Sequence, residues 1–309
     1  MKSAKIHQMT SAQFDASFPD EEACSAYLAA HRWPEGVSCP RCGNVLVKPH
    51  GTIEFAWLCN QCSPSDTNYR FSVIAGTIFE NTNKDLRDWF KVMHLMLTSK
   101  KGISALQIQR YMGFGSYKTA WYMCHRIRSG LANEDFQKLI GIVEIDETFI
   151  GGKAKNRHHD RRGPGSGTGS GPKGKAIIAG AVRRKGNVVA RVIADVSTAT
   201  LTSFVREAVS NKVSLICTDS WRGYARLGEG FPHSTVDHAA GEYLRHDDEL
   251  VGAVHTNTIE GFWSLVKRGM VGTFHKVSKK YLPLYVAEFQ FRYNNRLNAD
   301  IFGEAFKGV

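Results

Sequence analysis

Three carboxylates stand where metal-dependent chemistry would want them: Asp146 within IVEIDETFI, Asp219 closing SLICTDSW, and Glu260 early in TNTIEGFWSLVKR. Carboxylates are hard oxygen ligands, and a few suffice for Mg²⁺ (or Mn²⁺) because the ion keeps water and phosphate in its remaining positions. Two such ions about 3.5–4 Å apart activate the attacking hydroxyl and steady the leaving oxygen of in-line phosphoryl transfer. Asp146 is the expected bridging ligand, with Asp219 and Glu260 each holding one ion. Taken singly, each carboxylate also has a plainer reading. Asn257-x-x-Glu260 has the spacing of a capping box, Asp219 suits a turn after a strand, and Glu144 and Glu147 suit solvated strand positions.

A second constellation is Cys39-x-x-Cys42 followed by Cys59-x-x-Cys62. Each pair turns two thiolates toward one point, and together they complete a closed tetrahedral zinc site. A redox pair is the alternative, but redox chemistry needs no duplicate. Pro40, Gly43 and the strand-like FAWLC at 55–59 suit a zinc ribbon, two knuckles joined by a hairpin. The zinc is expected to be structural, stabilising a module too small to fold alone. Cys24, Cys124 and Cys217 lack partners at ligand spacing and are expected as buried small hydrophobes.

The elements that must position the carboxylates follow from periodicity. IVEIDETFI (142–150) alternates, with Val143, Ile145 and Phe149 on one face and Glu144, Asp146 and Thr148 on the other. AIIAGAVRR (176–184) and VVARVIADV (188–196) read as strands joined at Lys185–Gly186–Asn187. An amphipathic helix over 198–210, a strand over 214–221 and a helix from 256 follow. This order is that of an α/β, RNase H-like mixed sheet flanked by helices, in which the three carboxylates meet at one sheet edge. Phe262 and Trp263 are core candidates, although an aromatic beside the site could stack on an unpaired base. Upstream, Leu86, Trp89, Phe90, Met93 and Leu97 form an apolar helical face. Ser104 and Ser116 are candidate N-caps around a turn at Gly113 and Gly115, and Gly130 is a helix stop. The pair resembles a helix-turn-helix that could lay Lys118, Arg126 or Arg128 on DNA; a plain helical hairpin fits the spacing equally.

The chain has 309 residues and a net charge of +11, which favours a polyanionic partner without distinguishing nucleic acid from an anionic membrane. No apolar run spans a bilayer and no signal core opens the chain, so a cytoplasmic, nucleoid-associated protein without a membrane partner is expected. The charge is unevenly spread. Residues 151–191 carry eleven basic side chains against Asp160 alone, whereas 192–261 carry five basic against ten acidic. The loop 151–175, with Lys153, Lys155, Arg157, Arg161 and Arg162, joins basic residues to a Gly/Ser/Pro run that cannot pack a core. It reads as a mobile arm gripping phosphates; the bland alternative is a flexible insertion.

VEIDETFIGGK, ICTDSWRGY and HTNTIEGFWSLVKRG resemble the core of bacterial insertion-sequence DDE transposases, most closely the ISXO-like branch with its leading zinc ribbon. CPRCG…CNQC, RFSVIAGTIFENTNKDLRDWF and FQFRYNNR resemble the same group, so the likeness covers roughly residues 20–300. It implies Asp146, Asp219 and Glu260 as the acidic triad. Members vary at the third carboxylate, some using Asn, with a Lys downstream; this chain has Asn257, Glu260 and Lys267. Lys267, two helical turns after Glu260, and Arg268 would contact phosphates. His255 and Asn257 would orient the triad or the scissile phosphate, with a structural role equally open for His255. The implied domains are a ribbon-bearing segment (1–75), a helical DNA-binding region (76–140) and a catalytic domain (141–309). The implied activity is Mg²⁺-dependent cleavage at terminal inverted repeats and strand transfer into target DNA, by a homodimer or larger assembly. An RNase H-like nuclease or resolvase, and a domesticated non-catalytic DNA-binding regulator, are the alternatives.

Overall fold

The computed structural model describes residues 9–62, 69–132, 137–152, 174–245 and 253–308. The chain divides into two compact units, one comprising 1–133 with 295–309 and the other 134–294. The last fifteen residues thus belong with the N-terminal unit, where the expected division had placed them in the catalytic domain. Among the described residues no helix is long and apolar enough to cross a membrane.

In the first unit, α1 (Ser11–Ser17) opens on a capping box between Thr10 and Gln13, and α2 (Glu21–Arg32) on the Asp20 side chain. A three-stranded antiparallel ribbon follows: β1 (Lys48–Pro49), β2 (Ala56–Cys59) and β3 (Tyr69–Ser72). The helix α3 (Leu86–Thr98) buries Leu86, Trp89, Phe90, Met93 and Leu97, as its periodicity predicts. Its own N-cap, Asp85, makes no side-chain capping bond. Glu21 of α2 supplies it instead, accepting from the Leu86 N–H at 2.7 Å and the Arg87 N–H at 3.0 Å. The pair α4 (Ala105–Met112) and α5 (Tyr117–Gly130) is capped by Ser104 and Ser116, with Gly113 left-handed (φ 68°) at the turn. That conformation is cheap only for glycine.

The C-terminal α9 (Ile301–Ala305) closes this unit with aromatic packing. Phe302 lies 5.5 Å from Phe18 and 5.9 Å from Phe90, and Phe306 lies 4.7 Å from Phe90, between ring centroids.

The second unit is built on a five-stranded sheet ordered β6-β5-β4-β7-β8. The strands are β4 (Leu139–Ile150), β5 (Ala176–Arg183), β6 (Val188–Ile193), β7 (Val209–Asp219) and β8 (His233–Val236). The first three pair antiparallel, while β7 joins β4 and β8 joins β7 in parallel. This is the mixed sheet expected from the element order. One apolar core joins Val143 and Ile145 of β4 to α6 (Thr198–Ala208). A second packs Ile178 and Val182 of β5 against α7 (Asn257–Gly272) and α8 (Leu282–Asn294). The polar face of β4 is therefore covered rather than solvated: Glu144 is 0% and Thr148 2% exposed.

Replacing Phe302 by Ala empties the centre of the aromatic cluster. The first unit should lose about 3–5 kcal/mol, measured by denaturant unfolding followed through its tryptophans, while the far-UV signature of the native fold persists.

Candidate active site

The site grows from β4. Asp146 sits within this strand, paired with Gly180 of β5. A Cβ at Gly180 would lie 2.5 Å and 2.7 Å from ring atoms of Trp263, so only glycine lets α7 come this close to the strand beside Asp146. Asp219 is the last residue of the neighbouring parallel strand β7, and Glu260 lies in the first turn of α7. Asp146 and Glu260 line one open cavity of about 400 Å³ with Trp263, Ser264, Lys267 and Arg268.

The carboxylates act on one another electrostatically. Asp146 is pushed up to about 7 from its usual 3.8, first by burial and then by the charges of Glu147, Asp219 and Glu260. Burial also raises Asp219, against the Trp221 N–H, which donates to its Oδ1 at 3.1 Å, and against nearby His238. Glu147 is raised by burial as well, opposed by the Tyr224 hydroxyl that donates to Oε2 at 2.6 Å. Negative charge is thus accumulated where little water reaches it, an arrangement a cation would relieve.

What holds α7 over this strand is Glu144. Its Oε2 accepts from the Thr258 and Ile259 N–H groups at 2.7 and 3.1 Å, and its Oε1 from the Thr258 hydroxyl at 2.8 Å. Arg184 donates from Nε to Oε1 at 2.7 Å, and His255 Nδ1 lies 3.1 Å from the same oxygen. The other Arg184 nitrogens bond the Ala253 and His255 carbonyls. These bonds overturn two plain readings. Glu144 is no solvated strand residue, and α7 does not rely on a capping box of its own, since its N-cap Thr256 makes no side-chain capping bond.

The remaining expected residues divide. Lys267 and Arg268 are exposed at the cavity. Asn257 is exposed and is not among the cavity-lining residues. Lys118 is exposed in the first turn of α5. Arg126, by contrast, is turned into its own unit, donating to the Glu80 and Thr77 carbonyls at 2.8 and 3.3 Å. Arg128 is 1% exposed. Neither offers a free guanidinium to DNA. Lys153, Lys155, Arg157, Arg161 and Arg162 lie outside the described residues. Sequence reasoning missed Glu144 as a structural carboxylate, Tyr224 as the partner of Glu147, and His238, whose Nε2 lies 3.4 Å from Glu260 Oε1. The pattern HTNTIE did signal a helix start, but not that a strand residue caps it.

The four cysteines bring their sulfurs within 4.8 Å of one another, with Sγ–Sγ distances of 3.6 Å (Cys39–Cys62) and 3.7 Å (Cys42–Cys59). A tetrahedron of Zn–S bonds near 2.3 Å has edges of about 3.8 Å, so the donor set fits zinc, and disulfides are excluded by the same distances. Among the described residues no other set of three ligand groups closes this tightly. Asp146, Asp219 and Glu260 do not close to that spacing. Cys24, Cys124 and Cys217 are buried, and burial pushes the Cys24 thiol up to about 12.

The model of the ISXO2-like transposase domain matches residues 138–294, the whole of the sheet with α6 to α8. The chain belongs to the ISXO2-like transposase family. A transposase zinc-ribbon domain matches residues 19–65, which with the four-cysteine cluster supports structural zinc. A relative described as an uncharacterized protein in transposable element ISH50 of Halobacterium salinarum is 28% identical over 292 residues, covering 89% of this chain and 92% of its own. An uncharacterized transposase-like protein of Haemophilus influenzae is 30% identical over 105 residues, 34% of this chain and 78% of its own. Membership of the transposase family supports a DNA-cutting enzyme in general, and the two matched domains suggest DNA binding.

Two outcomes test this geometry. In metal-free buffer at pH 8, Asp146 is ionised at a cost that its raised pKa implies. Asp146→Asn should therefore stabilise this transposase-family fold by about 2–4 kcal/mol, seen as a higher melting temperature. The gain should shrink as pH falls through 7 and vanish below 4, where the carboxyl is protonated in folded and unfolded chains alike. Glu144→Ala strands the Arg184 charge and should cost about 3–5 kcal/mol; Glu144→Gln, still able to accept from α7, should cost less.

Proposed function

We propose that the chain is a DDE transposase that cuts DNA at the ends of its own element and joins the freed 3′-hydroxyls to target DNA. The observation that carries this reading is the shared acidic cavity, with Asp146 destabilised by Asp219 and Glu260 and flanked by exposed Lys267 and Arg268. Asp146, Asp219 and Glu260 would hold divalent ions, Mg²⁺ or Mn²⁺. Bound there, such ions would supply Lewis-acid stabilisation of the phosphate and an activated nucleophile. Lys267 and Arg268 would bind backbone phosphates and orient the scissile bond, the work that positioning residues contribute to phosphoryl transfer. Asn257 would act from the helix start as an orienting group. Lys118, with the basic residues Lys153, Lys155, Arg157, Arg161 and Arg162, would add phosphate contacts that are independent of sequence. Handling two ends together calls for a homodimer or larger assembly on DNA.

The purified chain, incubated with Mg²⁺ or Mn²⁺ and linear DNA bearing the inverted repeats that flank its gene, should nick the ends and yield joined products. Asp146→Asn, Asp219→Asn and Glu260→Gln should each reduce cleavage by at least about a thousandfold, a loss of roughly 4 kcal/mol of transition-state stabilisation. Gel-shift affinity for the ends should be retained. Cleavage without joined products would favour the nuclease reading, and undiminished cleavage by the Asp146 variant would remove the site assignment.

A further inference from the structure

His238, which lies just after β8 in a short 3₁₀ turn (His238–Ala240), has no counterpart in the triad, yet it reaches that site. Its Nε2 lies 3.0 Å from the Thr256 hydroxyl and 3.4 Å from Glu260 Oε1. The Thr256 hydroxyl donates to the same Glu260 oxygen at 3.2 Å. Thr256 is 2% exposed, whereas the Glu260 side chain is 49% exposed. On the far side of the imidazole, Nδ1 is buried with no hydrogen-bond partner among the described residues.

These contacts favour the tautomer with its proton on Nε2. A proton on Nδ1 would find no acceptor among the described residues, and an unsatisfied buried donor is costly. A proton on Nε2 meets an acceptor in the Thr256 hydroxyl. The Thr256 hydroxyl passes this on by donating to Glu260 Oε1, with Nε2 close by at 3.4 Å, while Glu260 Oε2 has no hydrogen-bond partner among the described residues. The ring is held in turn by Tyr243, whose centroid lies 5.4 Å away. An exposed glutamate on the first turn of a helix would otherwise sample several rotamers, losing affinity for any ligand it must hold.

We propose that His238 is a positioning residue of the carboxylate site, fixing Glu260 with Thr256 so that one carboxylate oxygen is committed and the other is free to hold a divalent ion. This rests on the reading of Asp146, Asp219 and Glu260 as an ion-holding set. Outer partners of ligating groups commonly change metal affinity by about ten- to a hundredfold, and a loss in that range is expected here.

The test compares His238→Ala and His238→Gln with the full-length wild type, titrating Mn²⁺ and following the free-ion electron paramagnetic resonance signal. Asp146→Asn serves as the site control, and melting temperatures are recorded with and without Mn²⁺. The zinc site is kept loaded throughout. The Ala variant should bind Mn²⁺ about tenfold or more weakly, and its Mn²⁺-induced rise in melting temperature should shrink, while its metal-free melting temperature stays near that of wild type. The Gln variant, whose amide can donate from nearly the same place, should recover most of the affinity. In cleavage assays the Ala defect should be largest at low Mn²⁺ and narrow as the ion is raised. Equal Mn²⁺ affinity in wild type and both variants overturns the proposal, as does a fall confined to metal-free stability. Should the Ala variant fail to fold, His238→Leu, which fills the space but cannot donate, takes its place: a tenfold or greater loss of affinity supports the proposal and unchanged affinity overturns it. Absence of any Asp146-dependent Mn²⁺ binding by the wild type removes the ion-holding reading itself, and with it this role for His238.

Discussion

The site depends on a buried carboxylate that ties a helix to the sheet. Glu144 is wholly buried, and its two oxygens serve the first turn of α7, the Arg184 guanidinium and the His255 ring at once. A buried ion pair gains little over apolar packing when its partners are merely adjacent, because desolvation consumes the Coulombic return. Here the geometry supplies the compensation. The helix N-terminus presents unpaired N–H groups and a partial positive charge, so one carboxylate satisfies several donors that would otherwise be orphaned. Arg184 extends the same tie to the Ala253 and His255 carbonyls. Since α7 bears Glu260, Lys267 and Arg268, the tie sets where they stand relative to Asp146, two residues along β4 from Glu144.

The first unit solves its own helix-end problem in the same way. The N-cap Asp85 makes no side-chain bond to α3, and Glu21 reaches from α2 to bond two of its first N–H groups. A local cap fixes only where a helix begins. A cap from a distant element fixes where the helix begins and what it lies against, because the bond forms only when both elements are docked. Both helices therefore owe their starts to tertiary structure, and each couples folding of its first turn to assembly of its unit.

Much of the architecture was legible because it follows short periods. The alternation of IVEIDETFI, the helical face of α3 and the paired Cys-x-x-Cys spacings are local patterns, and the mixed sheet follows from their order. What escaped was the work of polar residues whose partners are far away in sequence. Glu144 looked like one half of an alternating strand, and nothing within 142–150 reveals that a helix beginning more than a hundred residues later covers that face. Arg126 looked like a DNA contact for the same reason: its carbonyl partners, Glu80 and Thr77, are more than forty residues away. The aromatic residues at the C-terminal end carried no sign of their unit, since Phe302 of α9 and Phe306 just after it report burial without naming what buries them. Asp146, Asp219 and Glu260 were expected together through motif resemblance and element order, whereas His238 belonged to no motif.

The uneven charge distribution acquires a local meaning at the cavity. Asp146 is raised because burial and three acidic neighbours all disfavour its ionised form, so the fold retains an arrangement that is costly in the metal-free chain. Packing requires neither that cost nor the exposed bases beside it; the strand could be built with neutral residues at the same positions. Lys267 and Arg268 do not discharge the cluster from within, because no ion pair among the described residues joins them to its carboxylates, and both stand exposed at its rim. An anionic ligand placed between the two sets would meet cationic side chains on one side and carboxylates on the other. It can approach the carboxylates closely only if cations come with it, since unscreened like charges repel over such distances. The cavity is open to solvent along this edge, unlike the enclosed pockets that bury small molecules, so the anion need not fit inside it. Under the proposed function, a polymer of phosphates passing across the mouth, with divalent ions between it and the acidic floor, would satisfy both halves of the electrostatics.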